Sequence, residues 1–222
     1  MISIAIDGPA GAGKSTIAKR VAKELGYIYV DTGALYRAIA YYLLTQKIDI
    51  EDTIALQAAC DQITVTIAYE NDMQQVYLNG DNVTPYLRTE ETGNMASLSS
   101  AKAPVRAALL DLQRNMAKEY NVVMDGRDIG TNVLPDAEVK IYLTASSKER
   151  ANRRYKELTE KGEAADFDQI EADIIERDER DMNREIAPLK QAEDAVLIDS
   201  SDLSIDEVVK AILSVVGKQE TE

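Results

Sequence analysis

The sequence predicts a three-layer α/β protein, a doubly wound parallel sheet between helices that is interrupted by one antiparallel insertion. Three observations carry this. The chain opens with strand, glycine-rich loop, helix and strand in fewer than thirty-five residues, from ISIAI through GPAGAGKST to YIYV. Later apolar runs alternate with helical patterns, as parallel strands joined by crossover helices require. Between them lies a segment whose period is that of a hairpin.

Taken in order, residues 2–6 form a short β-branched run suited to a buried strand. From Ser15, apolar Ile17, Ala18, Val21, Ala22 and Leu25 recur at helical spacing and Gly26 supplies a stop, after which residues 27–30 read as a second strand. Residues 122–124 and 139–143 fit central strands, and 195–198 a last one. Helices are expected at 105–119 behind Pro104, at 148–161 behind Ser146 and Glu149, and at 205–216 behind Ser204 and Glu207. TVTIAY and QVYLNG, joined by the polar stretch 70–74, predict an antiparallel insertion over roughly 60–100. The KQETE end is expected to fray.

The 222 residues suffice for one substantial core, and 45% hydrophobic with 29% charged residues is the balance of an ordinary globular protein. A net charge of -14 opposes general attraction to nucleic acid or anionic lipid, and no apolar stretch approaches a membrane span. Cys60 is the single cysteine and falls in a helical pattern, so it reads as a core residue; with no leader in front of the first strand, a reducing cytoplasm is expected. The absence of histidine removes Ser-His hydrolases, His-ligated zinc and phosphohistidine chemistry together. Phosphoryl transfer survives that restriction, because positioning and electrostatics do most of its work.

The segment Gly8, Pro9, Ala10, Gly11, Ala12, Gly13, Lys14, Ser15, Thr16 satisfies GxxxxGK[ST] between a predicted strand and a predicted helix. Its glycines let successive N–H groups turn towards phosphate oxygens, and the helix N-terminus adds positive potential. Lys14 is placed to reach the β- and γ-phosphates of a nucleoside triphosphate, and Ser15 to offer its hydroxyl to Mg²⁺. Asp125, closing the run VVM, is placed to hold that ion through water, although an Asp after a strand is by itself more often a turn residue.

After the second strand, DTGALYR places Thr32 and Gly33 as caps of a helix with Arg37 one turn inside. Together with DGRDIGT, PDAEVKIYLTAS and ERDERDMNREIAPL, these motifs make the whole chain resemble the bacterial cytidylate kinases. The resemblance implies a P-loop kinase core at 1–30, 103–145 and 166–222. It implies a monophosphate-binding part carrying the insertion at 31–102, and a short helical lid at 146–165. It implies ATP as donor, Mg²⁺ as cofactor, CMP and dCMP as acceptors, and a monomer. Carried over by position, Arg37 and Arg127 would hold the acceptor phosphate beside Lys14. Thr32, Arg106, Asp128 and Arg184 would read the base, and Ser97, Arg177 and Asp181 would lie near the sugar. Lys14, Asp125 and Arg127 would be the catalytic groups, and Arg150, Arg153 and Arg154 in the lid would all be candidates for contacting triphosphate or adenine, Arg153 and Arg154 foremost.

Chemistry agrees with these assignments. Guanidinium groups grip phosphate oxygens bidentately. A carboxylate at position 128 accepts from the exocyclic amine of cytosine and opposes O4 of uracil, a difference of roughly 1–3 kcal/mol. Arg177, Asp181 and Arg184 are spaced to share a helix face. Taken singly, the arginines fit surface ion pairs as well. Two rivals remain: a kinase with another acceptor such as UMP, AMP or shikimate, and a nucleotide switch. The second lacks an NKxD guanine motif.

Overall fold

The computed structural model describes residues 1–219. Its centre is a five-stranded parallel sheet made of β1 (Ser3–Asp7), β2 (Ile28–Asp31), β6 (Val122–Gly126), β7 (Val139–Thr144) and β8 (Val196–Asp199), in the spatial order β2-β6-β1-β7-β8. β1 is buried on both faces, and period-two alternation sends its side chains to different cores. Ile4 and Ile6 pack with Ile17 and Val21 of α1 (Lys14–Leu25) and Ile212 of α8 (Ile205–Gln219). Ala5 packs on the other face with Val30, Met124 and Leu110 of α5 (Ala103–Glu119). Each fully buried Ile or Leu contributes roughly 1.5–3 kcal/mol, so this sandwich fixes the register of the strand ends.

Between β2 and β6 run α2 (Thr32–Thr45), α3 (Thr53–Cys60), the antiparallel β3 (Val65–Glu70), β4 (Met73–Leu78) and β5 (Asp81–Asn82), a 3-10 turn at Thr84–Tyr86, and α4 (Glu90–Ser99). α2, α3, β3 and β4 share an apolar cluster with α5, in which Leu35 and Ile39 of α2 meet Val76, Leu78, Val105 and Leu109. Cys60 is buried in that cluster, as its helical setting predicts. The hairpin is tighter than the polar stretch 70–74 suggested. Glu70 pairs with Met73, and only Asn71 (φ 50°) and Asp72 (φ 61°) turn the chain. A two-residue turn with both residues left-handed matches strand twist, and Asn and Asp tolerate it best after glycine. The short third strand β5 was missed, although Asn79-Gly80, both left-handed (φ 51° and 93°), is the turn pair that signals it between Leu78 and Asp81.

The remaining elements are a π-helical turn at Ile129–Val133 and the helices α6 (Ser147–Glu160) and α7 (Phe167–Asn183), the two helices packing on each other. Both capping-box predictions are met at the N-cap: Ser146 Oγ accepts from Glu149 N at 3.1 Å, and Ser204 Oγ from Glu207 N at 3.3 Å. Only the second is reciprocal, Glu207 Oε2 accepting from Ser204 N at 2.8 Å. α8 continues through Lys218 and Gln219, where fraying was expected; the rest of that expectation, residues 220–222, lies outside the described residues. No helix among the described residues is long and apolar enough to cross a membrane.

Candidate active site

Because the strands are parallel, the C-terminal ends of β1, β2 and β6 meet at one edge of the sheet, where the chain turns into α1, α2 and the Arg127–Asp128 segment. A cleft of about 770 Å³ opens there. One wall is the glycine loop. Gly8 must be glycine, because a Cβ would stand 1.9 Å from the Leu143 carbonyl oxygen. Gly13 caps α1 in the left-handed conformation without any side-chain acceptor, which leaves the first N–H groups of the helix for an anion.

Lys14 is buried, and its Nζ donates to the Pro9 carbonyl at 2.7 Å. Burial, then the neighbouring Arg127, pushes its ammonium well below the usual lysine range. Ser15 Oγ donates to Asp125 Oδ2 at 2.9 Å and the Tyr29 hydroxyl to Oδ1 at 2.8 Å. Burial, followed by the charge of Asp31, raises the Asp125 carboxyl. Ser15 and Asp125 therefore present hard oxygen donors at one point beside the loop, a fit to Mg²⁺. No group of three or more His, Cys, Asp or Glu able to hold a metal occurs among the described residues, so such an ion would complete its shell with phosphate and water.

Facing the loop is a ring of paired charges. The N-cap of α2 is Asp31, whose side chain accepts from Ala34 N at 2.8 Å; Thr32, expected to cap, is the first helical residue. Thr32 Oγ1 donates instead to the Asp125 carbonyl at 2.6 Å. Asp31 lies 3.4 Å from Arg37 Nη2 and 2.6 Å from Arg88 Nη2. Burial opposes its charge, but Arg37, Arg88 and the Ala34 amide outweigh it and hold the carboxyl below its usual value. Arg127 Nε donates to Asp181 Oδ2 at 2.8 Å. Burial likewise works against Asp181 and is outweighed by Arg127, so its carboxyl is also lowered. Arg177 is pushed down to about 10 by burial, then by Arg127, and its buried Nε has no hydrogen-bond partner.

Asp128 Oδ2 accepts from Arg106 Nη2 and from Asn132 Nδ2 at 3.1 Å, and Oδ1 from Arg184 Nη2 at 3.3 Å. Arg184 does not share the helical face of Arg177 and Asp181: it is the C-cap of α7 with ψ 141°, held by its Nε to the Ala187 carbonyl at 2.7 Å. It still reaches the cleft, because the chain turns back there and Leu189 N bonds to Asp181 O at 2.8 Å. Ser97 Oγ is buried at the cleft wall with no partner.

The remaining wall comes from α6 and the loop before α8. Arg153 Nη2 donates to Ser200 O at 2.7 Å and its Nε to Glu149 at 3.2 Å, while Arg154 pairs with Glu157 at 2.9 Å. Arg150 is buried at the cleft wall, its guanidinium already engaged by Asp178 at 2.6 Å and by the Ala10 and Ala145 carbonyls. Of the residues expected from the sequence, Gly8 and Pro9 support the loop from behind; Ala10, Gly11, Ala12, Gly13, Thr16 and all the others named line the cleft. Sequence reasoning missed Arg88 and the Ser200, Leu203 and Ile205 wall, and it missed Asp7, which ties the end of β1 to the amides of Ile129 and Gly130. Arg88 follows an unsignalled turn, and the wall belongs to a loop whose only signal was the cap at Ser204.

A glycine loop at a parallel-sheet edge, facing a ring of paired arginines, defines a P-loop kinase with two anion sites in one cleft. The chain belongs to the cytidylate kinase family, whose model matches residues 4–218. It is 50% identical over 211 residues to a cytidylate kinase of Exiguobacterium sp., covering 95% of this chain and 94% of that one. It is 49% identical over 214 residues to a cytidylate kinase of Shouchella clausii, covering 96% and 95%. In fold it resembles the crystal structure of an uncharacterized protein from Eubacterium ventriosum, at TM-score 0.54 and 12% identity over 98% of this chain and 99% of that one.

Proposed function

We propose that the protein transfers the γ-phosphoryl of ATP directly to CMP or dCMP, giving ADP and CDP or dCDP. The observation that carries this reading is Asp128, a buried carboxylate set between Arg106 and Arg184 beside the arginines that face the phosphate loop. That arrangement offers an acceptor to the cytosine amine and donors to N3 and O2, and the same cleft is lined by Arg37, Arg127 and Lys14, three cations suited to a phosphate.

The loop amides and Lys14 hold the β- and γ-phosphates, and Arg153 with the Ser200–Ile205 wall holds the donor nucleoside. Arg37 and Arg127 let go of Asp31 and Asp181 to take the acceptor phosphate, a carboxylate-for-phosphate exchange that keeps each guanidinium paired. Arg177, Asp181 and Ser97 meet the sugar, and Thr32 the base. No side chain need accept a proton as a strong base, because setting the acceptor oxygen in line with the γ-phosphorus supplies most of the rate. Mg²⁺, bound by Ser15 and through water by Asp125, would neutralise phosphate charge when present.

Residues 31–102 act as the acceptor-binding part and 146–165 as the lid, around a single core. A monomer that binds no nucleic acid fits the net charge of -14, and a reducing cytoplasm fits the single cysteine. The test is ADP release measured with ATP, Mg²⁺ and a panel of monophosphates. CMP and dCMP should be turned over fastest, and equal turnover of UMP or AMP would overturn the assignment of the acceptor.

A further inference from the structure

Arg150 lies at the root of α6, and it is 5% exposed although its side chain is a cation. All three guanidinium nitrogens have partners. Nε donates to the Ala145 carbonyl at 2.9 Å, Nη1 to the Ala10 carbonyl at 2.9 Å, and Nη2 lies 2.6 Å from Asp178 Oδ2. The stem of Arg150 packs on the phosphate loop itself, since a Cβ on Gly11 would come within 3.4 Å of Arg150 Cβ. Asp178 is 6% exposed and sits on α7 next to Arg177 and one turn before Asp181, both of which line the acceptor side of the cleft.

One guanidinium therefore ties three pieces of chain together: the second turn of the phosphate loop, the residue that follows β7, and the helix bearing the sugar-side charges. Only a planar fork satisfies acceptors diverging in this way; an ammonium in the same place is a point donor on a flexible stem. Stability is a poor reason for the arrangement. Desolvating a buried ion pair offsets much of its attraction, and apolar packing of the same volume commonly serves as well. Geometry is the better reason, because the loop carries the transferred group and α7 helps seat its acceptor. A misplacement of about 1 Å between reacting groups costs on the order of a hundredfold in rate.

We infer that Arg150, through Asp178, is a positioning residue that keeps the Ala10–Gly11 turn of the donor loop in register with the acceptor-side helix during phosphoryl transfer. The inference rests on the kinase reading above.

The experiment compares Arg150→Lys, Asp178→Asn and the double variant with the wild type, reading kcat, the separate Kd values of ATP and CMP by calorimetry, and Tm. Each single change should lower kcat about 10–100-fold while both Kd values move less than ~3-fold, and the double variant should lose no more than the worse single, because the pair acts as one unit. The inference is overturned by a kcat within ~3-fold of wild type, by losses that multiply in the double variant, or by losses that track the folded fraction at the assay temperature. The wild-type reaction, run alongside, separates this from the assignment of the acceptor. If ATP is used with a monophosphate other than CMP, the acceptor fails, and the variant ratios are read with that monophosphate instead.

Discussion

At the scale of the residue, Asp128 governs base choice because its two oxygens already sit among donors. Arg106, Arg184 and Asn132 hold the carboxylate in place, so a cytosine amine adds one more donor to a preset acceptor, whereas the uracil O4 brings a second acceptor against it. Asp128→Ala should therefore lower kcat/KM for CMP by about 10–100-fold and that for UMP far less, since a buried hydrogen bond that the cognate base alone can make is worth roughly 1–3 kcal/mol. Equal losses in steady-state kinetics would remove the base-reading role. Residues of this kind differ in how readable they are from the chain. Lys14 and Ser15 are legible because the motif that marks them, Gly8 to Thr16, is contiguous in the chain, even though Asp125, the partner of Ser15, lies 110 positions away. Asp7 and Arg88 are not: Asp7 accepts from Ile129 N, 122 positions away, and Arg88 pairs with Asp31 across 57. Nothing local marks either one.

At the scale of the element, the insertion does more than fill space beside the sheet. Gln74, two residues past the hairpin turn, grips the backbone of Asp31 from both sides: its Oε1 accepts from Asp31 N at 2.9 Å and its Nε2 donates to Asp31 O at 3.2 Å. The Tyr69 hydroxyl adds a bond to the Tyr29 carbonyl at 2.8 Å. The strand end that caps α2 and aims Arg37 is thus braced by the hairpin. Gln74→Ala should raise the KM for CMP several-fold with little change for ATP, since two backbone bonds of about 1 kcal/mol each disappear on the acceptor side only. An unchanged KM for CMP, or parallel changes in both, would leave the insertion without this role. The hairpin itself was legible from its alternation, but its turn was not. Glu70 and Met73 look like loop residues until Asn71 and Asp72 take positive φ and let the strands close. The cap of α2 was misplaced for a related reason. Asp31 and Thr32 are both capping types, and only the extended backbone at Asp31 (φ -80°, ψ 93°) decides which one serves.

At the scale of the molecule, the parallel sheet brings the acids at the ends of β1, β2 and β6 to one edge, and their titrations pull global stability in different directions. That the strands form a parallel sheet followed from apolar runs alternating with helices, whereas the order β2-β6-β1-β7-β8 and the crowding of Asp7, Asp31 and Asp125 that comes with its register did not. Asp31 and Asp181 are held below their usual range, so the stability they contribute is present above a pH of about 4 and is lost as acid protonates them below it. Asp7 acts oppositely. Burial, only partly offset by the amides of Gly130 and Ile129, raises its carboxyl to about 6. Between the unfolded and folded values the native state binds the extra proton, so stability falls as pH rises through that window. The shift corresponds to roughly 3 kcal/mol, fully expressed above neutrality. Asp7→Asn removes this titration and also one acceptor, so its stability at any single pH mixes two effects, but its pH dependence does not. Urea unfolding of wild type and Asp7→Asn from pH 4 to 7.5 should give a stability difference, wild type minus variant, that declines by roughly 2.4 kcal/mol across the series. A difference that stays flat with pH would mean that Asp7 ionises in the folded protein as it does in the unfolded chain, and that the β1 edge is wetter than its packing implies.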